Sequence, residues 1–280
     1  MQFLLLAILS SSLVSIFMRV GTARVQHNYG MLTMNYVACA LLALLHAGIG
    51  GVPLFDGGFT VTLGLGAIAG FIYLAAFVLM QRSIVKNGVV LSSVFMKLGL
   101  LVPMAVSIIF FKEMPGALQI LGFVLALIAI VMINWKSGGD KGAKASALGL
   151  ILLLIGGGSA DCMSKVFEQL GPPAMADLFL FFTFFFAFAI CKDLLLFKHQ
   201  RIGKREVLYG CLVGLPNFYS SKFILLALNQ LPAVIVYPSF SVGTLLVVTL
   251  VGVMAFREKL GKLQWLALGL ILVALALLNM

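Results

Sequence analysis

Apolar residues run along this chain in blocks of about twenty, divided by short polar stretches, and a helix of that length crosses roughly 30 Å of hydrocarbon. Ten such spans can be drawn, at 3–19, 32–48, 60–80, 89–111, 116–135, 147–167, 176–197, 207–228, 233–256 and 261–279. The connections are short, and none has the composition to fold as a soluble domain. The longest hydrophilic pieces are 136–146 (KSGGDKGAKAS) and 198–206 (KHQRIGKRE). The first lies between spans five and six and reads as a linker joining two five-span halves.

The halves share a repeat. Residues 111–134 read FKEMPGALQILGFVLALIAIVMIN and residues 256–279 read FREKLGKLQWLALGLILVALALLN, with 10 of 24 aligned positions identical. Glu113/Glu258, Gly116/Gly261, Gln119/Gln264 and Asn134/Asn279 are among the identities. A repeat at half the chain length, in a chain made of spans, points to a transporter built from two related bundles. Each half holds an odd number of spans, so the second must run through the membrane opposite to the first. The expected fold is therefore an all-α membrane protein, with ten transmembrane helices arranged as two inverted five-helix repeats, 1–135 and 147–280. Gly66 and Gly70 in span three are spaced like Gly210 and Gly214 in span eight. Small residues four apart let helix backbones approach closely in lipid, which marks these four for helix packing.

Composition agrees with the pattern. The chain is 62% hydrophobic and 10% charged, against roughly 25% charged residues in a soluble domain. A net charge of +10 would suggest nucleic acid in a soluble protein; here the basic residues lie between apolar blocks and face a membrane surface, so no nucleic-acid partner is expected. Loops 1–2, 3–4, 5–6, 7–8 and 9–10 with their flanks hold 15 of the 19 Lys and Arg residues. The positive-inside rule puts those loops in the cytoplasm and both termini outside. Cys39, Cys162, Cys191 and Cys211 have no close pairing, which implies neither a disulfide framework nor a metal site. The apolar N-terminus lacks a basic n-region and reads as a retained first span. No cofactor signature is present.

The repeated Phe-basic-Glu junction before the closing helix of each half, together with FMKLGLLVP, FEQLG and YPSFSVGT, resembles the EamA-like branch of the drug/metabolite transporter superfamily. The likeness extends over essentially the whole chain. It implies a multi-pass carrier of the bacterial inner (plasma) membrane, with a central cavity between the halves and a small-molecule solute as its partner. Amino acids, sugars, nucleotide sugars and drugs all fall within the superfamily's range. Family habit places the termini in the cytoplasm, whereas the charge bias of this chain argues the reverse.

Ionisable groups within spans cost about 2.5–3.5 kcal/mol on insertion scales and so tend to face a cavity. Lys97, Asp161, Lys165 and Lys222 qualify. At 1.5 Å per residue from the basic face, Lys97 lies about 12 Å deep, Asp161 about 21 Å, Lys222 about 22 Å and Lys165 about 27 Å. Asp161 and Lys222 thus share a level and are candidates to pair, with Lys97 separated from them by about the length of an amino acid. A local Asp161–Lys165 pair one turn apart competes with that arrangement, and Lys165 is deep enough to snorkel to the far interface. Asn217 and Tyr237 complete the substrate-binding candidates, since their helices also carry Lys222 and Pro238. Pro103, Pro216 and Pro238 interrupt spans and are candidate hinges. The run 178–188 (LFLFFTFFFAF) reads as lipid-facing bulk, Gly156-Gly157-Gly158 as permissive backbone or close packing, and Glu113 and Glu258 as acids stabilising helix N-termini.

The expected activity is secondary transport of a small polar metabolite, an amino acid or related zwitterion or organic anion, by alternating access, with protons as a candidate coupling ion and a monomer or homodimer as the working form. A multidrug or toxic-metabolite exporter is the alternative within the superfamily. An intramembrane enzyme is disfavoured: His27, His46 and His199 lie in loops or at span ends, so the Gly157-Gly158-Ser159-Ala160 string has no histidine on a facing span to serve a serine nucleophile, and Asp161 is the single candidate for an aspartyl mechanism that needs two.

Overall fold

The computed structural model describes residues 1–49, 58–87, 95–96, 98–134, 147–256 and 261–278. Ten α-helices occur among them: α1 (Gln2–Thr22), α2 (Asn28–Ile49), α3 (Gly58–Asn87), α4 (Leu101–Phe110), α5 (Ala117–Asn134), α6 (Ala147–Leu170), α7 (Ala176–Phe197), α8 (Lys204–Leu228), α9 (Ala233–Phe256) and α10 (Lys262–Leu278), with a 3-10 turn at Pro173–Met175 before α7. No strand is present among the described residues. Seven helices (α1, α2, α3, α6, α7, α8 and α9) are long and apolar enough to cross a membrane, and α4, α5 and α10 contribute shorter apolar helices. The chain is an all-helical, multi-pass integral membrane protein.

Boundaries follow local chemistry. α8 starts behind Gly203, whose N–H donates to Glu206 Oε2 at 3.1 Å, so a side chain three residues on closes the helix N-terminus. α7 ends with His199 in the left-handed region (φ 50°), and Gln200 N–H donates back to Leu195 O at 3.0 Å. The repeated helices α5 and α10 begin alike: Gly116 N–H donates to Gln119 Oε1 at 3.0 Å and Gly261 N–H to Gln264 Oε1 at 2.9 Å. The identical Gly and Gln of the repeat are thus a shared N-terminal cap. Of expected span four, the 101–110 portion is seen as α4, while residues 88–94 lie outside the described residues. Pro103 falls in the first turn of α4, where a missing N–H costs nothing, so it does not interrupt that helix. Pro216 and Pro238 do lie inside α8 and α9.

The helices form two compact units, each drawing on both sequence halves: unit A comprises 2–74 and 163–229, and unit B comprises 75–162 and 230–280 with Met1. In unit A, α2 packs on α7 and α8, and α1 packs on α8. An alanine Cβ built at Gly210 would lie 2.6 Å from Met31 O, and one at Gly214 would lie 2.7 Å from Asn35 O, so α8 meets α2 backbone to backbone. Gly66 and Gly70 of α3 do the same against α7, where added Cβ atoms would meet Phe179 O at 3.2 Å and Thr183 O at 2.6 Å. The phenylalanine run of α7 is divided between core and surface rather than being lipid-facing bulk throughout. Phe179 and Phe184 are buried and Phe185 is exposed; Phe179 stacks on Phe167 with ring centroids 4.2 Å apart, and Phe184 on Tyr36 at 6.5 Å. A continuous apolar run gives no periodic cue to its buried face, and neighbouring rings supply that face only in the folded unit.

In unit B, α5 lies along α10, with Gly122 against Ala274 and Leu278 and with Ala126, Ala129, Ile130, Ala267 and Ile271 in a shared core. Gly158 of α6 meets Gly99 and Val102, and Gly157 meets Met96, so close packing accounts for this part of the triple glycine. Outside both cores, large apolar side chains such as Leu9, Phe71 and Leu266 remain exposed, as a lipid-facing surface requires. Hydroxyls within spans fold back on their own helices: Ser12, Thr33 and Thr183 donate to the carbonyls four residues earlier at 2.7, 2.8 and 2.9 Å. In hydrocarbon such groups must be satisfied inside the protein.

Candidate functional site

Unit A concentrates charge at both ends. At the end formed by the α1–α2 and α7–α8 connections, Arg19, Arg24, Lys192, Lys198, Arg201, Lys204 and Arg205 are exposed. Buried Glu206 ties the two connections together: its Oε1 accepts N–H from Gln26 at 2.9 Å and from His27 at 3.2 Å, while Oε2 takes Gly203 N–H. Arg24 Nη1 donates to Tyr209 Oη at 2.8 Å. Loops 1–2 and 7–8 therefore share one end of the unit, in keeping with the charge pattern that assigned them to one side.

At the opposite end stands an ion pair not anticipated in the sequence. Lys222 Nζ lies 2.9 Å from Asp177 Oδ1 and 3.1 Å from Oδ2, with both side chains about a quarter exposed. Lys222 Nζ also lies 5.9 Å from the centroid of the Phe218 ring. Asp177 sits in the first turn of α7 and Lys222 near the end of antiparallel α8, so the pair stands near the far interface. Lys222 was expected to pair with Asp161; within unit A it pairs with Asp177, because α7 and α8 bring these two side chains together. Asp177 falls in the first turn of expected span seven, 176–197, and was not among the candidates; its position at the mouth of a helix antiparallel to that of Lys222 was the available signal.

Lys165 also departs from expectation. It is 1% exposed, so it does not snorkel, and Nζ makes a 2.6 Å ion pair with Glu168 Oε2. Gln169 Nε2 donates to the same oxygen at 2.8 Å. Glu168 lies one turn further along α6, and Asp161 one turn earlier. Asn217 Nδ2 donates to Asn35 Oδ1 at 3.2 Å, and buried Cys39 Sγ donates to Gly214 O at 3.2 Å, which places Asn217 in a polar seam between α8 and α2. His46, in the last turn of α2, contacts the Phe218 and Tyr219 rings with centroids 5.1 and 5.8 Å away.

In unit B, Tyr237 is 2% exposed and donates its hydroxyl to the backbone carbonyl of Asp161 at 2.8 Å. Ser107 of α4 and Ser239 and Thr244 of α9 are buried hydroxyls with no hydrogen-bond partner among the described residues. Lys97 and Glu258 lie outside the described residues. Glu113, expected to stabilise the helix it precedes, instead reaches α9: its Oε2 accepts Ala233 N–H at 2.8 Å. Pro232, which precedes α9, has no side-chain acceptor, and Glu113 fills that gap from another loop. Lys112 turns the chain toward it in the left-handed region (φ 56°). In the first half, then, the Phe-basic-Glu string ends α4, turns, and caps α9.

No family model matches the chain. An uncharacterized protein of Haemophilus influenzae is 26% identical over 203 residues, spanning 71% of this chain and 69% of its own length. A protein of known crystal structure superposes with a TM-score of 0.74 at 14% identity, over 99% of this chain and 94% of its own. At that identity the likeness extends to the fold alone.

Proposed function

We propose that the chain is a ten-span secondary carrier of the EamA-like drug/metabolite kind, moving a small polar metabolite by alternating access between two inverted five-helix repeats. In that reading α2 corresponds to α7 and α3 to α8. The Gly66/Gly70 contact of α3 with α7 then mirrors the Gly210/Gly214 contact of α8 with α2. This correspondence supports the inverted arrangement.

The observation that carries the functional reading is the Lys222–Asp177 pair inside a membrane unit. A partly exposed ion pair contributes little net stability, since partial desolvation and the ordering of two side chains offset the attraction. A lysine and a carboxylate that neutralise each other in the empty protein can be exchanged one at a time for the opposite ends of a zwitterion. Lys222 meets the solute's anionic group and Asp177 its cationic group or a coupling proton. Lys97, Asp161, Asn217 and Tyr237 remain candidates for solute contact.

Reconstituted protein should give saturable counterflow of an amino acid, related zwitterion or organic anion. Lys222→Ala or Asp177→Asn should abolish it while the protein keeps its elution profile and helical content. Normal counterflow in both variants would refute the assignment of the pair, and normal transport by Lys97→Ala would remove Lys97 from the site. Absence of counterflow across all solute classes in the wild-type protein would refute the carrier reading.

A further inference from the structure

Two arginines at the loop end of unit A have no ion pair among the described residues. Arg24 Nη1 donates to Tyr209 Oη at 2.8 Å, and Arg205 Nη1 donates to the backbone carbonyl of Arg24 at 3.5 Å, so both arginines are fastened where the α1–α2 connection meets the first turns of α8. The neighbouring carboxylate, Glu206, is occupied by three backbone N–H groups. Like charges held together without an acid form a site for an anion, and the guanidinium fork matches phosphate in particular.

The helix face below points to what carries that phosphate. Arg205, Leu208, Tyr209, Leu212 and Leu215 follow the spacing of one α8 face, and Leu208, Leu212 and Leu215 are 56%, 39% and 55% exposed. From Arg205 to Leu215 the helix rises about 15 Å, roughly half the hydrocarbon thickness of a bilayer. A cationic head position above an open apolar strip of that length has the dimensions of one leaflet's lipid. The surrounding exposed Arg19, Arg201 and Lys204 would repel the ammonium group of a zwitterionic headgroup. We propose that Arg24 and Arg205 bind the phosphate of an anionic phospholipid, whose acyl chain lies along Leu208, Leu212 and Leu215.

Native mass spectrometry of the full chain in detergent, with phosphatidylglycerol and phosphatidylcholine of identical acyl chains, tests this. Phosphatidylglycerol should be retained about twenty-five-fold more tightly, about five-fold for each guanidinium contact. Arg24→Ala/Arg205→Ala should bring it to the phosphatidylcholine level. Lys192→Ala/Lys198→Ala, which removes equal charge elsewhere on the same end, should leave the preference intact. Tyr209→Phe, which removes no charge but frees Arg24, should lower retention by a few fold. Should the arginine double variant fail to fold, Arg205→Ala and Tyr209→Phe carry the same test. Equal losses in the arginine and lysine pairs would overturn the proposal in favour of diffuse attraction. Displacement of phosphatidylglycerol by millimolar inorganic phosphate would overturn the lipid assignment in favour of a free-anion site.

Discussion

Glu113→Ala removes the carboxylate that accepts the first N–H of α9 at 2.8 Å. Because Pro232 cannot substitute, Ala233 N–H is left without that partner inside a helical membrane unit. Loss of a capping side chain costs typically about 1 kcal/mol, and loss of a negative charge at a helix N-terminus costs about 0.3–1 kcal/mol more. The expected destabilisation is about 1.5–2 kcal/mol. For a chain of this size that corresponds to a fall in Tm of roughly 3–8 °C. Glu113→Gln keeps an acceptor and gives up only the charge, so its fall should be less than half as large. Thermal unfolding in a single detergent, followed by circular dichroism, reads both. A Glu113→Ala variant melting within about a degree of wild type would refute the capping argument. A Glu113→Gln variant as damaged as Glu113→Ala would show that charge, and not the hydrogen bond, holds the loop.

Three further outcomes follow from the same geometry. Gly210→Ala and Gly70→Ala should each destabilise by about 1–3 kcal/mol through overpacking, since the new Cβ would lie 2.6 Å from Met31 O and Thr183 O, whereas Gly64→Ala, with nothing within 4 Å, should be neutral or mildly stabilising in the same melts. Lys222→Met should lower stability by leaving Asp177 unpaired, and Lys222→Met/Asp177→Leu should restore most of it while transport in the counterflow assay stays lost; a double variant no more stable than the single would argue against a coupled pair. Lys112→Gly, at φ 56°, should be neutral to stabilising by about 1 kcal/mol, because glycine occupies the left-handed region without a Cβ clash, and a marked drop in Tm would show that the lysine side chain matters there.

Much of the fold was legible because membrane helices announce themselves by composition and length. The spans fell within a few residues of α1, α2, α5, α6, α7, α9 and α10. α3 ran on to Asn87, well past the apolar block, and α8 began at Lys204, three residues before it, because Glu206 closes its first turn. The glycine pairs were legible as well, since close approach in lipid needs small residues and little else does. The candidate site was far less so. Depth along a helix can be counted from the sequence, which put Asp161 and Lys222 at one level, but a helix's rotation and neighbours cannot. Lys222 therefore found Asp177, and Lys165 found Glu168 in the interior.

The sequence by itself determined the helical membrane class, the half-length repeat and the basic character of the connections, because each rests on local composition or on identity between aligned segments. Tertiary structure alone decided that Glu113 caps a helix 120 residues away, which rings of a phenylalanine run are core, and which carboxylate meets which lysine. The physical reason is common to all three. In lipid both the buried and the exposed faces of a helix are apolar, so hydrophobic pattern no longer tells inside from outside. Helix pairing is then set by small-residue contacts and a few polar bonds between segments distant in sequence.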